Sequence, residues 1–261
     1  MTRERQMAMA VDTEMLAAAW SDMVRDLCGV TPQGWYVERG NVRASATYAD
    51  AASLNAVSSM SLDPDLAALD ELATELGERG LPWSIIVRAA AADAVADVAA
   101  RHGLFNRHGV PLMACTKQDA VLDAAEGPRS AVRQVGSAAS DVYSDVLTVG
   151  FEARQGFFGT LMGGRVLDAP GFSGYLAEES GVPVGTGLVI RNRGAAGVFN
   201  IAVVPAARGR GLGRALTARV MTDAFAAGDE VAYLNPSTDG WKLYESMGFR
   251  LVETWAMFTA P

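Results

Sequence analysis

The sequence predicts an α/β chain of the α+β kind, in which two modest domains, residues 1–128 and 129–261, each place a sheet among helices. Three observations lead there. Helical and strand periods alternate along the chain, the succession strand, helix, strand, helix, strand occurs once in each half, and a glycine-rich turn joins strand to helix in the second half. A length of 261 residues, half of them hydrophobic, supplies enough apolar surface for cores in both halves.

In the first half, an apolar helix is expected over Thr13 to Leu27, followed by loop-rich sequence containing Gly29, Pro32, Gly34 and Gly40. Ser53 to Met60 reads as a strand. Asp63-Pro64 opens a helix with Leu66, Leu69, Leu72 and Leu76 at helical spacing, closed by Gly77 and Gly80. Trp83 to Arg88 reads as a strand, Ala90 to His102 as an alanine-rich helix ended by Gly103, and Pro111 to Thr116 as a short strand. His102 would complement the helix dipole, and His108 falls in a Gly-bounded loop without neighbouring ligand residues.

Glu126 to Ser130 has the composition of a linker, and the chain restarts with a strand at Ala131 to Val135 and a helix at Ser140 to Phe151. A short helix follows near Phe157 to Gly163. Gly171 to Glu178 and Val182 to Ile190 form a hairpin, and Gly197 to Val204 is a buried strand stopped by Pro205. The next helix, Gly211 to Ala227, carries Leu212, Leu216, Val220 and Ala224 on one face. Val231 to Asn235 is a strand, Ser237 caps a helix running to Met247, and Phe249 to Phe258 closes the sheet. The repeated succession points to an ancient duplication whose first copy has Ser61-Leu-Asp-Pro64 in place of the glycine turn.

The net charge of −8 is concentrated in residues 1–130, which hold 11 Lys/Arg against 18 Asp/Glu, whereas residues 131–261 hold 11 against 12. That balance disfavours nucleic-acid and anionic-membrane binding and tolerates a cationic substrate. No apolar run reaches the length of a membrane span, and the first residues lack the layout of a secretory signal, so a cytoplasmic location is expected. Cys28 and Cys115 are far apart and outside any Cys/His grouping, so they read as free thiols, and no metal site is expected.

The turn from Val203 to Leu216 has the composition of a phosphate-binding loop. Gly209, Gly211 and Gly213 allow positive φ and close backbone approach, successive N–H groups can converge on an anion, and the following helix adds its partial positive charge. Arg208, Arg210 and Arg214 place planar donors around it. A Walker loop is excluded because no Lys-Ser or Lys-Thr follows the glycines. A dinucleotide fingerprint counted from Gly209 and Gly211 puts Arg214 where the third glycine belongs, although Asp229 and Glu230 lie where a ribose-binding acid would. The spacing Arg/Gln-x-x-Gly-x-Gly/Ala is met by Arg208, Gly211 and Gly213.

This spacing after Val203-Val204-Pro205, with Leu243-Tyr-Glu-Ser-Met-Gly-Phe249 downstream, resembles the GNAT superfamily of acetyl-CoA-dependent N-acyltransferases over roughly the second half of the chain. The layout with a degenerate first copy is similar to the tandem members of that superfamily. The resemblance implies two GNAT-like domains, each a mixed twisted sheet flanked by helices. It further implies acetyl-CoA as cosubstrate, a small-molecule amine as acceptor and direct attack in a ternary complex. A homodimer is the candidate assembly, though nothing in the sequence itself sets the oligomeric state.

By the same resemblance, the backbone from Arg208 through Gly209, Arg210, Gly211, Leu212 and Gly213 to Arg214 holds the diphosphate. The edge at Ile201, Ala202 and Val203 pairs with the pantetheine arm, and an N–H there polarises the thioester carbonyl. Tyr244 matches the general acid that protonates the leaving thiolate, a transfer uphill by about 2 kcal/mol for free groups. Phe157 and Phe158 fall where relatives line the acceptor groove. The strand before the loop, Gly197 to Val204, contains no carboxylate to act as base. Glu152, Glu178, Glu179 and Asp239 are candidates elsewhere, and none is assigned. The missing base keeps open an alternative, a catalytically silent acyl-CoA-binding sensor or interaction module.

Overall fold

The computed structural model describes residues 11–123 and 132–261. The expected linker at 126–130, the boundary at 128 and the first six residues lie outside them. Helix α1 (Thr13–Val30) starts at Asp12, whose carboxylate accepts from the N–H groups of Glu14 and Met15. It leads into β1 (Trp35–Arg39) and β2 (Val42–Ala46), an antiparallel hairpin lying in the stretch that the sequence reads as loop. Then come β3 (Asn55–Ser59), α2 (Leu66–Gly77), β4 (Ser84–Arg88), α3 (Ala92–Arg101) and β5 (Asn106–Thr116). The helix α2 begins at Asp65 rather than Asp63, and of its four leucines Leu69, Leu72 and Leu76 are fully buried. Strand β5 starts five residues before Pro111 and takes in His108, whose Nε2 lies 3.2 Å from Thr259 Oγ1. His102, just past α3, reaches across to Asp70 on α2 at 2.8 Å.

The second half contributes β6 (Val132–Val135), α4 (Ser140–Gly150), α5 (Gly159–Met162), β7 (Phe172–Glu179), β8 (Val182–Asn192), β9 (Ala195–Val203), α6 (Leu212–Ala226), β10 (Val231–Leu234), α7 (Trp241–Ser246) and β11 (Arg250–Thr259). The β7–β8 turn uses Ser180 and Gly181, both at positive φ, as a two-residue hairpin of this twist requires. Ser237 does not cap α7 directly. Its hydroxyl accepts from the N–H of Gly240, the residue that precedes the helix.

The eleven strands of the described residues join one mixed sheet in the order β1-β2-β3-β4-β11-β5-β10-β9-β8-β7-β6. The halves therefore exchange their last strands: β11 pairs with β4 of the first half, and β5 pairs with β10 of the second, with β5 and β11 antiparallel between them. Out to four strands on each side the order is symmetric about that central pair, with β6 one strand beyond, since β3–β4 and β9–β10 are the two parallel pairs and sit at equal distances from it. This symmetry is what a duplicated unit would leave.

Side chains alternate across the sheet as the strand period demands. On one face Ile86, Leu188, Ile190 and Tyr233 join α1, α4 and α5 in a core that spans both halves. On the other, Ile85 and Val87 pack under α2 and α3, and Val189, Ala232 and Leu234 under α6 and α7. Arg88, only 5% exposed, ties the exchange together by donating to Glu253 of β11 at 2.9 Å and pairing with Glu14 of α1. Both cysteines are buried and free, and burial pushes each thiol up to about 12.

An isolated fragment of residues 132–261 would leave β10 with one bare edge and β11 with no strand partner on either side. It is expected to show no cooperative thermal transition by circular dichroism, and to regain one when mixed with a fragment of residues 11–123.

Candidate active site

Strands β9 and β10 form a fork. They are paired in parallel only at Ala195, Ala196 and Gly197, after which β9 runs on to Val203 against β8 alone. Two features open the fork. A Cβ on Gly197 would lie 2.5 Å from the Phe199 ring and 2.8 Å from the Tyr233 hydroxyl, so only glycine lets those two aromatics meet at the crotch, with ring centroids 6.1 Å apart. Asn200 then takes φ +53 in a bulge opposite Gly187, and its carbonyl accepts from Thr186 Oγ1 at 2.8 Å.

Beyond the bulge the ladder phase decides which groups face the gap. The N–H of Val204 donates to Val184 O at 2.9 Å, so the alternation of an antiparallel pair turns the N–H and C=O of Val203 away from β8 and toward the fork. Ile201 shares that phase. Ala202 pairs with Thr186 and is buried.

The loop after Pro205 delivers two glycines at positive φ, Gly209 at +76° and Gly211 at +79°, each with open space where a Cβ would stand. Gly213 differs from the expectation. It has helical backbone inside α6, and a Cβ there would only make an ordinary contact with Leu243 of α7 at 3.5 Å. Gly211 precedes α6 and brings no side-chain cap, so it satisfies none of the first N–H groups of the helix, from Leu212 onward. The matching helix of the first half is closed: the carboxylate of Asp65 accepts from the N–H groups of Ala67 and Ala68. The first-half strand pair is closed too, because β3 and β4 stay in register to Ser59 and Val87.

The three arginines fasten the loop. Arg208 donates to Val203 O at 3.1 Å, to Gly150 O at the end of α4 at 2.8 Å, and to Glu152 at 3.2 Å. Arg210 turns outward to Glu179 at 2.8 Å and Ala206 O at 2.7 Å. Arg214 holds Asp123 O at 3.0 Å and Ser246 Oγ at 2.9 Å. Gly150 matters to this fit, since a Cβ there would lie 2.8 Å from that of Ala202.

These parts line one groove of about 530 Å³, which brings together Ile201, Ala202, Val203, Arg208, Gly209, Gly211, Leu212, Gly213, Arg214 and Tyr244. Arg210 lies outside it. Tyr244 is buried against Phe249, edge to face at 5.7 Å, and burial pushes its phenol up to about 12. Of the carboxylates considered from sequence, Glu152 and Asp239 line the groove, whereas Glu178 and Glu179 are drawn off by Arg133 and Arg210. Phe157 and Phe158 meet edge to face at 4.7 Å, Phe158 within the core and Phe157 packed against it. Among the described residues no group of three or more His, Cys, Asp or Glu could hold a metal ion, and no helix is long and apolar enough to cross a membrane.

The groove thus joins a fork between parallel strands to a glycine loop and the start of a helix. Residues 142–249 match the model of the Acetyltransferase (GNAT) family. Comparison with curated proteins finds no match. Among solved structures, the chain is similar to a GCN5-related N-acetyltransferase from Kribbella flavida, with 20% identity, 97% of each chain covered and a TM-score of 0.67. It is also similar to a GCN5-related N-acetyltransferase from Sphaerobacter thermophilus (15% identity, 85% of this chain and 81% of that one, TM-score 0.55). A tandem GNAT protein from the clavulanic acid biosynthesis pathway has 15% identity, 96% of each chain covered and a TM-score of 0.54. At these identities the likeness is one of fold, and it spans both halves.

Because Gly211 holds a left-handed conformation with free space around it, Gly211→Ala should cost about 1–2 kcal/mol of stability from backbone strain alone, read as a lowered denaturation midpoint.

Proposed function

We propose that the second half transfers an acetyl group from acetyl-CoA to the primary amine of a small molecule. The observation that carries this reading is the alignment, in a single groove, of an unpaired strand edge, an uncapped helix N-terminus and a buried phenol. Their order suits a long ligand with amides in its arm and a diphosphate at its end. The donors also suit it, because convergent backbone N–H groups at a positive helix end favour a multiply charged anion. Bound there, acetyl-CoA would supply an activated thioester.

The chain's own groups then have defined work. The edge of β9 at Ile201 offers N–H and C=O groups to an amide-bearing arm, as an added strand would use them. The N–H of Val203 polarises a carbonyl placed in the fork. Arg208 keeps that N–H aimed by holding the carbonyl of the same residue. Tyr244 donates a hydrogen bond toward the departing sulfur. With its phenol near 12 and a thiol near 8.5, complete proton transfer would be uphill by about 5 kcal/mol, so the phenol serves as a donor that stays protonated through the neutral range. Such a reaction belongs in the cytoplasm, where acetyl-CoA is available.

Tyr244→Phe should lower kcat by about ten- to a hundredfold while leaving acetyl-CoA affinity, measured by calorimetry, nearly unchanged. Heat of acetyl-CoA binding without thiol release from any amine would instead favour the silent sensor. Because the folded-state value is raised, the stability gained by keeping Tyr244 neutral is present below pH 10. It is lost as pH rises toward about 12, which alkaline unfolding of wild type against Tyr244→Phe would reveal.

A further inference from the structure

A second cavity, of about 320 Å³, lies on the sheet face covered by α1 and α5. It adjoins the fork. Phe199 and Asn200 border this cavity while the next residues of β9, from Ile201, border the groove, and Asn235 and Ser237 divide in the same way after β10. Its walls come from both halves: Trp20, Met23 and Leu27 from α1 face Leu161, Met162 and Leu188. Among the described residues its lining contains no Lys, Arg, His, Asp or Glu.

That lining is at odds with a compact polycation. Moving a second ammonium into an apolar wall without a counter-charge is unfavourable, whereas an aromatic or aliphatic body gains by leaving water. Desolvation also lowers the pKa of a bound amine, favouring the neutral nucleophile without a carboxylate base, which is the group absent from β9. The carboxamides of Asn200 and Asn235 give a neutral amine acceptors at the end nearest the fork. Resting on the acetyl-transfer reading, we propose that the acceptor is a primary amine on a small apolar body, such as an arylalkylamine. Its body is held in this pocket between the two halves of the chain. The size suits one ring and a short linker, since 320 Å³ is near the lower end of ligand pockets.

The test compares phenethylamine with putrescine. Thiol release from acetyl-CoA should give phenethylamine a kcat/KM at least about tenfold higher, and equal or reversed values would overturn the assignment. Val24, half-buried on α1 at the pocket wall, allows a charge to be introduced without opening the core. Val24→Glu should reduce the phenethylamine to putrescine ratio about tenfold with acetyl-CoA affinity unchanged, and an unmoved ratio would count against the pocket. For phenethylamine, the acidic limb of kcat should lie below that of kcat/KM, because only the former reports the bound amine; coincident limbs would refute its delivery as the neutral form. Calorimetry of each ligand alone separates the two readings. Phenethylamine heat without acetyl-CoA heat would leave the pocket standing and remove the acetyl-transfer reading. Acetyl-CoA heat with neither phenethylamine heat nor turnover would do the reverse.

Discussion

The arrangement of the site depends on one strand leaving its neighbour early. A parallel ladder normally continues as long as both strands last, and an unmade edge in a protein interior is unfavourable. Here β9 keeps its ladder with β8 on both sides of the Asn200 bulge and gives up β10 after Gly197, so most of the cost falls on one edge. The crotch is filled by the Phe199–Tyr233 pair, and the free end is held by Arg208, which joins β9 to the end of α4. The gap is thus built into the packing on three sides, and backbone groups within it are available to a ligand.

The exchange of final strands gives the fork a fixed second blade. Strand β10 has four residues and pairs with β9 over only three of them, too little to orient it alone. Its other edge is fully paired with β5 of the first half, from Thr116 to Met113. The geometry of the candidate site in the second half therefore depends on a strand from the first, and Arg88 with Glu253 and Glu14 fixes the same junction from the other side.

The second half was the more legible in the sequence. Its helices show apolar residues at 3.6 spacing, and positive-φ turns advertise themselves as glycine, so α6, the β7–β8 hairpin and the loop at Gly209 and Gly211 could be read directly. The hairpin β1–β2 could not, because glycines and a proline surround it and its edge strand Trp35 to Arg39 is half-buried with no clean alternation. Strand exchange was hidden for a different reason: local pattern identifies strands but not their partners. The same limit applies to side-chain roles. Arginines beside a phosphate loop invite a reading as ligand donors, yet Arg208, Arg210 and Arg214 here find carbonyls and carboxylates of their own chain. The apolar cavity draws on residues scattered from Trp20 to Met257, a grouping that only the fold creates.

The two copies diverge where an anion would sit. In the first, Asp65 supplies a carboxylate to the helix N-terminus and the strand pair stays closed, so the positive helix end is neutralised internally. In the second, glycine supplies nothing and the strands part. A copy closed in this way loses nothing as a scaffold: with no gap to maintain, its sheet is free to carry α1 across the centre. The apolar side of that helix then becomes the wall facing α5. The capping aspartate and the intact ladder thus explain at once why the first half has no such groove and why it can be rigid enough to shape one side of the space beside the fork.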